Sequence, residues 1–354
     1  MRKLIALGLV AGVAALAALS TLPAGATVSG TNGKIVFGQD FPLTSFTIDP
    51  DGSDPHQIGP VETICTTWSP DSSKVLCQLF SEEGPQSATA NPDGSGLTVL
   101  NPNLPLGLAC LNWSPDGSRL LCTTGEEASP AEKGLYTVRS SDGGDLVRVT
   151  AAPPAGGDNG YGYSPDGSRI LFARFDSSDH GTLISVKPDG SDPVELSPPG
   201  LSVIDLGFFD QVAADWAPDG SRVAFAAFDE SSRRTTGLFV VSADGSGLRL
   251  VTPSGVGALS AQWSPNGALI AFSSCCGISH AWVVHPNGTG LRRVTPSRFL
   301  TPVWSPDSTK LLLNSRDRND QTSLWTVNTD GSELSKLTDT TGLAHYAWGS
   351  APAE

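Results

Sequence analysis

Six residues carry side chains that could bind a ligand or coordinate a metal ion, namely His180, Asp215, Cys275, Cys276, His280 and His345. Imidazole, carboxylate and thiolate groups are the ligands that divalent metals take in proteins. However, the spacing of Cys275, Cys276 and His280 matches no recognised zinc pattern, and the sequence shows no evident fourth ligand. We therefore expect a ligand-binding role for these residues without a cofactor, with a divalent metal such as Ca²⁺ or Mn²⁺ as the alternative.

The neighbouring cysteines Cys275 and Cys276 leave two alternatives open. Adjacent Cα atoms are about 3.8 Å apart, which is below the usual disulfide range, so a bridge between them would be a strained ring. Strain of this kind is concentrated near ligand sites. The pair is either a vicinal disulfide that forms a stiff apolar platform for a ligand, or two plain thiols.

Two short repeated patterns determine where these residues lie in the fold. The first reads aromatic-Ser-Pro-Asp-Gly-Ser-basic-apolar-apolar and begins at Trp68, Trp113, Tyr163, Trp216, Trp263 and Trp304. The second is a strand, an Asp-Gly or Asn-Gly turn and another strand, centred on Asp51, Asp93, Asp142, Asp189, Asp244, Asn287 and Asp330. Successive aromatics are roughly 40 to 50 residues apart, which is the length of one four-stranded propeller blade.

The seventh copy of the first pattern is divided between the two ends of the chain. Residues 32–37 (NGKIVF) supply its second half, and residues 345–349 (HYAWG) supply its first half. A closed ring removes exposed sheet edges, which otherwise pair with other chains. The sequence therefore predicts an all-β, seven-bladed β-propeller with four-stranded antiparallel blades, closed by a C-terminal strand that joins the N-terminal blade.

The W-S-P-D-G-[ST]-[KR] and D-G-S repeats, which cover residues 33–349, resemble those of TolB-like and WD40-like propellers. TolB itself carries a separate amino-terminal α/β domain, whereas the first strand expected here begins a few residues after a predicted cleavage site. The resemblance therefore implies the propeller fold without that domain. The Tol-Pal role is not transferred with it.

Each blade is expected to contain four strands, a to d, with strand a ending at the aromatic residue. The short, uniform a–b and c–d turns then lie on one side of the disc, here called the turn face. The long, irregular b–c and d–a connections lie on the other side, the loop face. Because binding residues concentrate on variable loops held by a rigid scaffold, we expect function on the loop face around the central channel.

The polar residues of the repeat have structural interpretations as well. The aspartates of the turns are expected to form turns and not calcium sites, because the dense acid spacing of a calcium loop is absent. The polar residues directly before the aromatic, Asn112, Asp215 and Gln262, either line the channel or satisfy backbone groups between blades. We favour the second role for them.

Four further cysteines predict two disulfide bonds. If Trp68 faces Lys74 across the a–b hairpin, Cys65 lies directly opposite Cys77, and the next blade places Cys110 opposite Cys122 in the same way. Directly opposed residues of antiparallel strands have a spacing that suits a disulfide, and an exported chain meets an oxidising compartment. We expect the bonds Cys65–Cys77 and Cys110–Cys122.

The amino terminus predicts export. Met1-Arg2-Lys3, the apolar run 4–19 and Ala24-Gly25-Ala26 read as a signal peptide over residues 1–26, followed by a single propeller domain over residues 27–354. The apolar run is shorter than a bilayer span, so we expect a secreted or periplasmic protein that does not span a membrane. The formal net charge of −14 and the lack of a basic stripe exclude nucleic acid as a partner.

No catalytic motif is visible, and in particular no G-x-S-x-G nucleophile elbow occurs. Whether the protein is an enzyme is left open, and the first hypothesis is a non-enzymatic, monomeric scaffold. It would dock a protein, peptide or cell-envelope glycan on the loop face. The alternative is a metal-assisted polysaccharide lyase or hydrolase with His180, His280, His345 and a nearby Asp at the channel mouth.

Overall fold

The computed structural model describes thirteen segments of the chain, which are residues 27–40, 42–81, 84–100, 108–125, 128–153, 155–204, 213–229, 234–253, 255–274, 279–296, 298–319, 321–342 and 345–351. The predicted signal peptide and both Cys275 and Cys276 lie outside these residues. The part of the chain that is described contains no helix with the length and apolar composition of a bilayer span.

The described residues form β-strands joined by turns. In chain order the strands are β1 (Asn32–Asp40), β2 (Leu43–Ile48), β3 (His56–Ile58), β4 (Thr63–Trp68), β5 (Val75–Ser81), β6 (Gly84–Ala90), β7 (Thr98–Val99), β8 (Leu108–Trp113), β9 (Arg119–Thr124), β10 (Leu135–Arg139), β11 (Val147–Arg148), β12 (Gly157–Tyr163), β13 (Ile170–Phe175), β14 (Gly181–Val186) and β15 (Val194–Glu195). They continue with β16 (Leu201–Val203), β17 (Ala214–Trp216), β18 (Arg222–Asp229), β19 (Arg234–Ser242), β20 (Arg249–Leu250), β21 (Gln262–Trp263), β22 (Ile270–Ser273), β23 (Ala281–Val284), β24 (Arg292–Arg293), β25 (Phe299–Trp304), β26 (Lys310–Arg316), β27 (Thr322–Asn328), β28 (Ser335–Thr340) and β29 (Tyr346–Ser350).

These strands make seven antiparallel sheets, one for each blade, which confirms the predicted seven-bladed all-β propeller. Blade 1 has the order β29-β1-β2-β3, and blades 2, 3 and 4 contain β4 to β7, β8 to β11 and β12 to β15. Blades 5, 6 and 7 contain β16 to β20, β21 to β24 and β25 to β28. Each inner strand contacts the inner strands of both neighbouring blades, so the blades form a ring around the central channel.

Blade 5 departs from the simple four-strand pattern. Its inner position is shared by β16, which pairs with the loop-face half of β18, and β17, which pairs with the turn-face half. The two strands β16 and β17 therefore share the position of strand a in this blade, and β18, β19 and β20 occupy the positions of strands b, c and d.

The two ends of the chain complete one sheet, as the split repeat predicts. Strand β29 pairs with β1, with Trp348 opposite Ile35 and Tyr346 opposite Phe37. The carbonyl of His345 extends this pairing by accepting the backbone N–H of Gly38 at 2.7 Å. Ring closure therefore rests on a ladder of main-chain hydrogen bonds between distant parts of the sequence.

The apolar core is divided among the interfaces between blades, here called seams. Seven clusters of buried side chains each join two consecutive blades. In the seam between blades 5 and 6, Phe272 of strand b stacks on Trp282 of strand c with ring centroids 6.3 Å apart. Because each blade buries one face against each neighbour, no blade has a complete core of its own.

Both predicted disulfides, Cys65–Cys77 and Cys110–Cys122, are present and buried. The register used to predict them needs one correction, because Trp68 faces Val75 and not Lys74. A β-bulge between Cys65 and Thr67 shifts the pairing by one residue. The bulge lies between the cysteines and the aromatic, so Cys65 and Cys77 remain directly opposed.

The Ser-Pro-Asp-Gly-Ser turns are held together by their own side chains. In blade 3, Asp116 Oδ1 accepts the Ser114 hydroxyl at 2.6 Å and the Ser118 N–H at 3.0 Å. Ser114 Oγ in turn accepts the Arg119 N–H at 2.9 Å. The Ser114 hydrogen bond is the largest contribution that lowers the pKa of Asp116, which stabilises the charged form in the turn.

The disulfides give a prediction for stability. Replacing Cys65 and Cys77 together by alanine should lower the free energy of unfolding by about 3 kcal/mol, because the bond closes a short loop in the unfolded chain. Urea denaturation of the mature protein measures this change. The matched replacement of Cys110 and Cys122 spans the same sequence separation of 12 residues and should cost a similar amount. An unchanged midpoint in both variants would contradict the bonds.

Candidate functional site

The loop face carries two short b–c hairpins of closely related construction, one in blade 4 and one in blade 7. In the first, Asp176 Oδ1 accepts the N–H groups of Ser178 and His180 at 2.7 and 3.1 Å. In the second, Asp317 Oδ1 accepts the N–H groups of Asn319 and Gln321 at 2.7 and 2.9 Å. These aspartates fix the loop backbone, so the hairpins are structured before any ligand arrives.

The three histidines of the predicted site all lie on the loop face, in different blades. His180 ends the b–c hairpin of blade 4, His280 precedes β23 in blade 6, and His345 precedes β29 in blade 1. Among the residues that the structure describes, no group of three or more His, Cys, Asp or Glu side chains could hold a metal ion. The three histidines thus lie on the same face, and the described residues do not bring the three imidazoles together as a ligand set.

His280 has the most distinctive environment of the three. Its backbone forms a closed bridge with Ser274, since Ser274 N–H donates to the His280 carbonyl at 2.9 Å and His280 N–H donates to Ser274 Oγ at 3.1 Å. Burial, followed by the positive charge of Arg293, lowers the pKa of the His280 side chain. This imidazole is therefore held in its neutral form near pH 7.

Asp215 lies in the seam between blades 5 and 6, at the turn-face end of the inner strand. Its Oδ2 accepts the backbone N–H of Trp263 at 2.8 Å. Gln262 does the same in the next seam, where its Oε1 accepts the N–H of Trp304 at 3.2 Å. These contacts support the inter-blade role over channel lining at both positions. Asn112 is also buried, but its Nδ2 has no partner within the described segments.

An ion pair between Asp158 on β12 and Arg174 on β13 lies within blade 4 near the loop face, and the Thr150 hydroxyl of blade 3 joins it across the seam. The side chain of Asp158 is fully buried and accepts Nε and Nη2 of Arg174, both at 2.8 Å, and the Thr150 hydroxyl at 2.6 Å. Bidentate pairing of this kind is geometrically specific. Asp158 is therefore occupied in holding the seam.

Sequence reasoning missed the distribution of charge over the loop face. Residues 245–306, which include all of blade 6, contain no Asp or Glu, although the chain has 36 acidic residues. Arg293 and Arg298 from this stretch are exposed, as are Arg316 and Arg318 in the b–c hairpin of blade 7. The absence of acids over this range is the signal that could have located a positive region.

A separate groove of about 450 Å³ lies on the turn face between blades 7 and 1. It is lined by Asn32, Pro50, Asp51, Lys310, Thr326, Glu333, Leu334, Ser335, Leu337 and Trp348. Lys310 Nζ already binds Asn328 Oδ1 at 2.6 Å and Glu333 Oε2 at 3.2 Å. The groove thus lies on the side opposite the variable loops, and the ammonium group of Lys310 is already hydrogen-bonded within the protein.

Asp215 gives a pH-dependent prediction. Burial raises the pKa of its carboxyl to about 7, whereas the same group in an unfolded chain has a pKa of about 4. Between these values the folded state binds more protons than the unfolded state, so stability falls as pH rises from about 4 to about 7. Asp215→Asn keeps an acceptor for the Trp263 N–H but has no carboxyl group to ionise. The difference in melting temperature between this variant and wild type should therefore shift in favour of the variant from pH 5 to pH 8.

The control for this measurement is Asp116→Asn in an exposed turn. Hydrogen bonds lower the pKa of Asp116, so the effect of this substitution should not change between pH 5 and pH 8. If Asp215→Asn also shows a constant difference from wild type over that range, the buried carboxyl does not titrate as stated.

Comparison with known proteins identifies the fold. No protein-family model and no curated protein matches the sequence. Among solved structures, TolB from Acinetobacter baumannii is similar over 90% of this chain and 67% of its own, with 16% identity and a TM-score of 0.56. The oligogalacturonate lyase of Vibrio parahaemolyticus is similar over 88% of this chain and 87% of its own, with 15% identity and a TM-score of 0.61.

A third similar structure is the β-propeller domain of the Trilobed protease from Pyrococcus furiosus, which has an open velcro topology. The similarity covers 89% of this chain and 98% of that domain, with 13% identity and a TM-score of 0.63. In the present chain, by contrast, β29 pairs with β1 and closes the first sheet. Likenesses at this level of identity concern the fold, and the chain is therefore a TolB-like seven-bladed β-propeller in architecture.

Proposed function

We propose that this protein is an extracytoplasmic binding scaffold that docks a protein, peptide or envelope glycan on its loop face. The observation that carries this proposal is the asymmetry of the disc. The turn face is made of near-identical turns closed by their own side chains, whereas the loop face presents connections that differ from blade to blade. Variable loops on a rigid scaffold are the usual location of binding residues.

The rigidity of the scaffold supports the same proposal. The two disulfides cross-link the a–b hairpins of blades 2 and 3, the β1–β29 ladder completes blade 1, and the Thr150–Asp158 hydrogen bond joins blade 3 to blade 4. The hairpins at Asp176 and Asp317 are ordered by side-chain to backbone hydrogen bonds. A surface that is already ordered loses less conformational entropy on binding.

Extracytoplasmic location is part of the proposal. Disulfides persist in oxidising compartments and are rare in the cytosol, and two are present here. The predicted signal peptide over residues 1–26 agrees with this location.

Site-specific photo-crosslinking tests the assignment of the face. A photoreactive phenylalanine analogue is placed at Ser177, exposed on the loop face of blade 4, and separately at Lys187, exposed on the turn face of the same blade. With the proteins and glycans of the native envelope, we expect a discrete cross-linked product from position 177 only. Mass spectrometry of the product identifies the partner.

Lys187 is the matched control because it belongs to the same blade and is also exposed. Equal capture from both positions would show non-specific adhesion, and capture from position 187 alone would place the binding surface on the turn face. Either result contradicts the proposal.

The enzyme alternative makes a different prediction for divalent metals. A lyase that uses Ca²⁺ or Mn²⁺ must bind the ion, and an ion at about 100 times its dissociation constant stabilises the folded state by about 2.7 kcal/mol. For the scaffold we expect no change in melting temperature with either metal. A rise of several degrees that is reversed by a chelator would favour the lyase.

A further inference from the structure

Four arginines on the loop face of blades 6 and 7 form a positively charged region, here called the arginine sector. They are Arg293 on β24, Arg298 in the connection between the two blades, and Arg316 and Arg318 in the b–c hairpin of blade 7. All four are exposed. Their concentration is unusual in a chain whose formal net charge is −14.

Many of the other basic side chains in the described segments are paired with acids. Arg119 pairs with Asp145 at 2.6 Å, Arg169 pairs with Asp192 at 3.2 Å, and Lys34 pairs with Asp49 at 2.8 Å. For Arg293, Arg298 and Arg318, by contrast, the described segments provide no ion pair. Arg298 Nη1 donates to the backbone carbonyl of Asp317 at 3.5 Å, which is a neutral acceptor. A guanidinium group that has no carboxylate partner is available for an anionic ligand.

The acids nearest in sequence reduce the charge of the sector without cancelling it. Asp317 lies between Arg316 and Arg318, and its Oδ1 is turned toward its own loop backbone. Asp320 belongs to the same loop and lies outside the described residues. Residues 245–306 supply no acid, so the excess positive charge of the sector comes from Arg293 and Arg298.

Main-chain hydrogen bonds fix the relative positions of the segments that carry the sector. The N–H of Arg298 donates to the Ser279 carbonyl at 2.8 Å, and the N–H of Arg316 donates to the Arg298 carbonyl at 3.3 Å. Arg298 has a φ of 61°, in the left-handed region that non-glycine residues rarely adopt. These hydrogen bonds therefore hold three segments at fixed positions before a partner binds, namely the b–c segment of blade 6, the connection between blades 6 and 7, and the b–c hairpin of blade 7.

The loop face has the opposite charge over blade 4, whereas blade 3 is mixed, because Lys133 and Arg148 lie there beside Glu132. Asp176, Asp179 and Glu195 are exposed on blade 4, and the described part of the chain offers none of them a salt bridge to Lys or Arg. A ligand that is negative along its whole length would be repelled by blade 4 if it extended beyond the arginine sector. A protein surface with an acidic region and a separate basic region would match both parts of the face.

We propose that the arginine sector binds an acidic polypeptide segment of a protein partner, which reaches across the loop face to place a basic region over blade 4. This inference rests on the proposed binding function of the loop face and adds the chemistry and orientation of the partner. Each exposed charge contributes little alone, so binding depends on several pairs and weakens as salt rises.

Fluorescence anisotropy with model ligands tests the proposal on the mature protein. The probes are a bipolar peptide with a glutamate run, a flexible Gly/Ser linker and a lysine run, an oligoglutamate peptide, and an oligogalacturonate of the same charge as the oligoglutamate. We expect the bipolar peptide to bind at least as tightly as the oligoglutamate, despite its lower net charge. Its affinity should fall when NaCl is raised from about 0.05 M to about 0.5 M.

Charge reversal localises the binding. Arg293→Glu combined with Arg298→Glu should weaken binding of the bipolar peptide about tenfold. The control is Lys187→Glu combined with Arg139→Glu, which changes the net charge equally but lies at the c–d turns of blades 4 and 3, on the turn face. It should change the affinity less than about twofold. Circular dichroism and melting temperature confirm that both variants fold.

Three results would overturn the inference. Equal loss in both variants would mean that only overall charge matters, and absence of peptide binding would mean that the sector does not recognise polypeptide. Tighter binding of the oligogalacturonate than of the bipolar peptide would identify a glycan surface. The two proposals can also be separated. If a partner is captured from position 177 and binds the variant with Arg293→Glu and Arg298→Glu as tightly as it binds wild type, the loop-face function stands and this inference alone fails.

Discussion

The pairing of β29 with β1 is the interaction on which the rest of the structure depends. Every blade buries its apolar residues against two neighbours, so a ring with a gap would expose both faces of one seam and two sheet edges to water. The ladder at Ile35–Trp348 and Phe37–Tyr346 removes that gap. Once the ring is closed, all b–c and d–a connections are held on one face at fixed mutual positions.

The fold could be predicted because its determinants are local and repeated. The Ser-Pro-Asp-Gly-Ser turn closes through contacts between residues two to five apart, such as those of Asp116, and therefore leaves a visible sequence pattern. The cysteine pairing was also accessible, since opposed positions follow from hairpin length. The bulge that sets Trp68 opposite Val75 was not, because one extra residue in a strand has no compositional signature of its own.

The candidate site was predictable only as a face. The repeat assigns His180, His280 and His345 to the loop face. The distances between side chains on different blades, however, depend on how the blades pack, and sequence spacing does not report that packing. Asp215 also shows what the sequence alone does not decide. Its position before the aromatic was compatible with the channel or the seam, and the contact with Trp263 favours the seam. The arginine sector was missed because single motifs, and not the absence of acids over a whole blade, were considered.

The cross-links and the closing ladder act over very different lengths of chain. Each disulfide joins residues 12 apart within one hairpin, whereas Trp348 meets Ile35 only after the chain has passed around the entire ring. Because bringing distant residues together costs more entropy, we expect the hairpins of blades 2 and 3 to form and oxidise early and the ring to close last. A chain whose ring has not yet closed presents an unpaired β1 edge, and this edge is where self-association would begin.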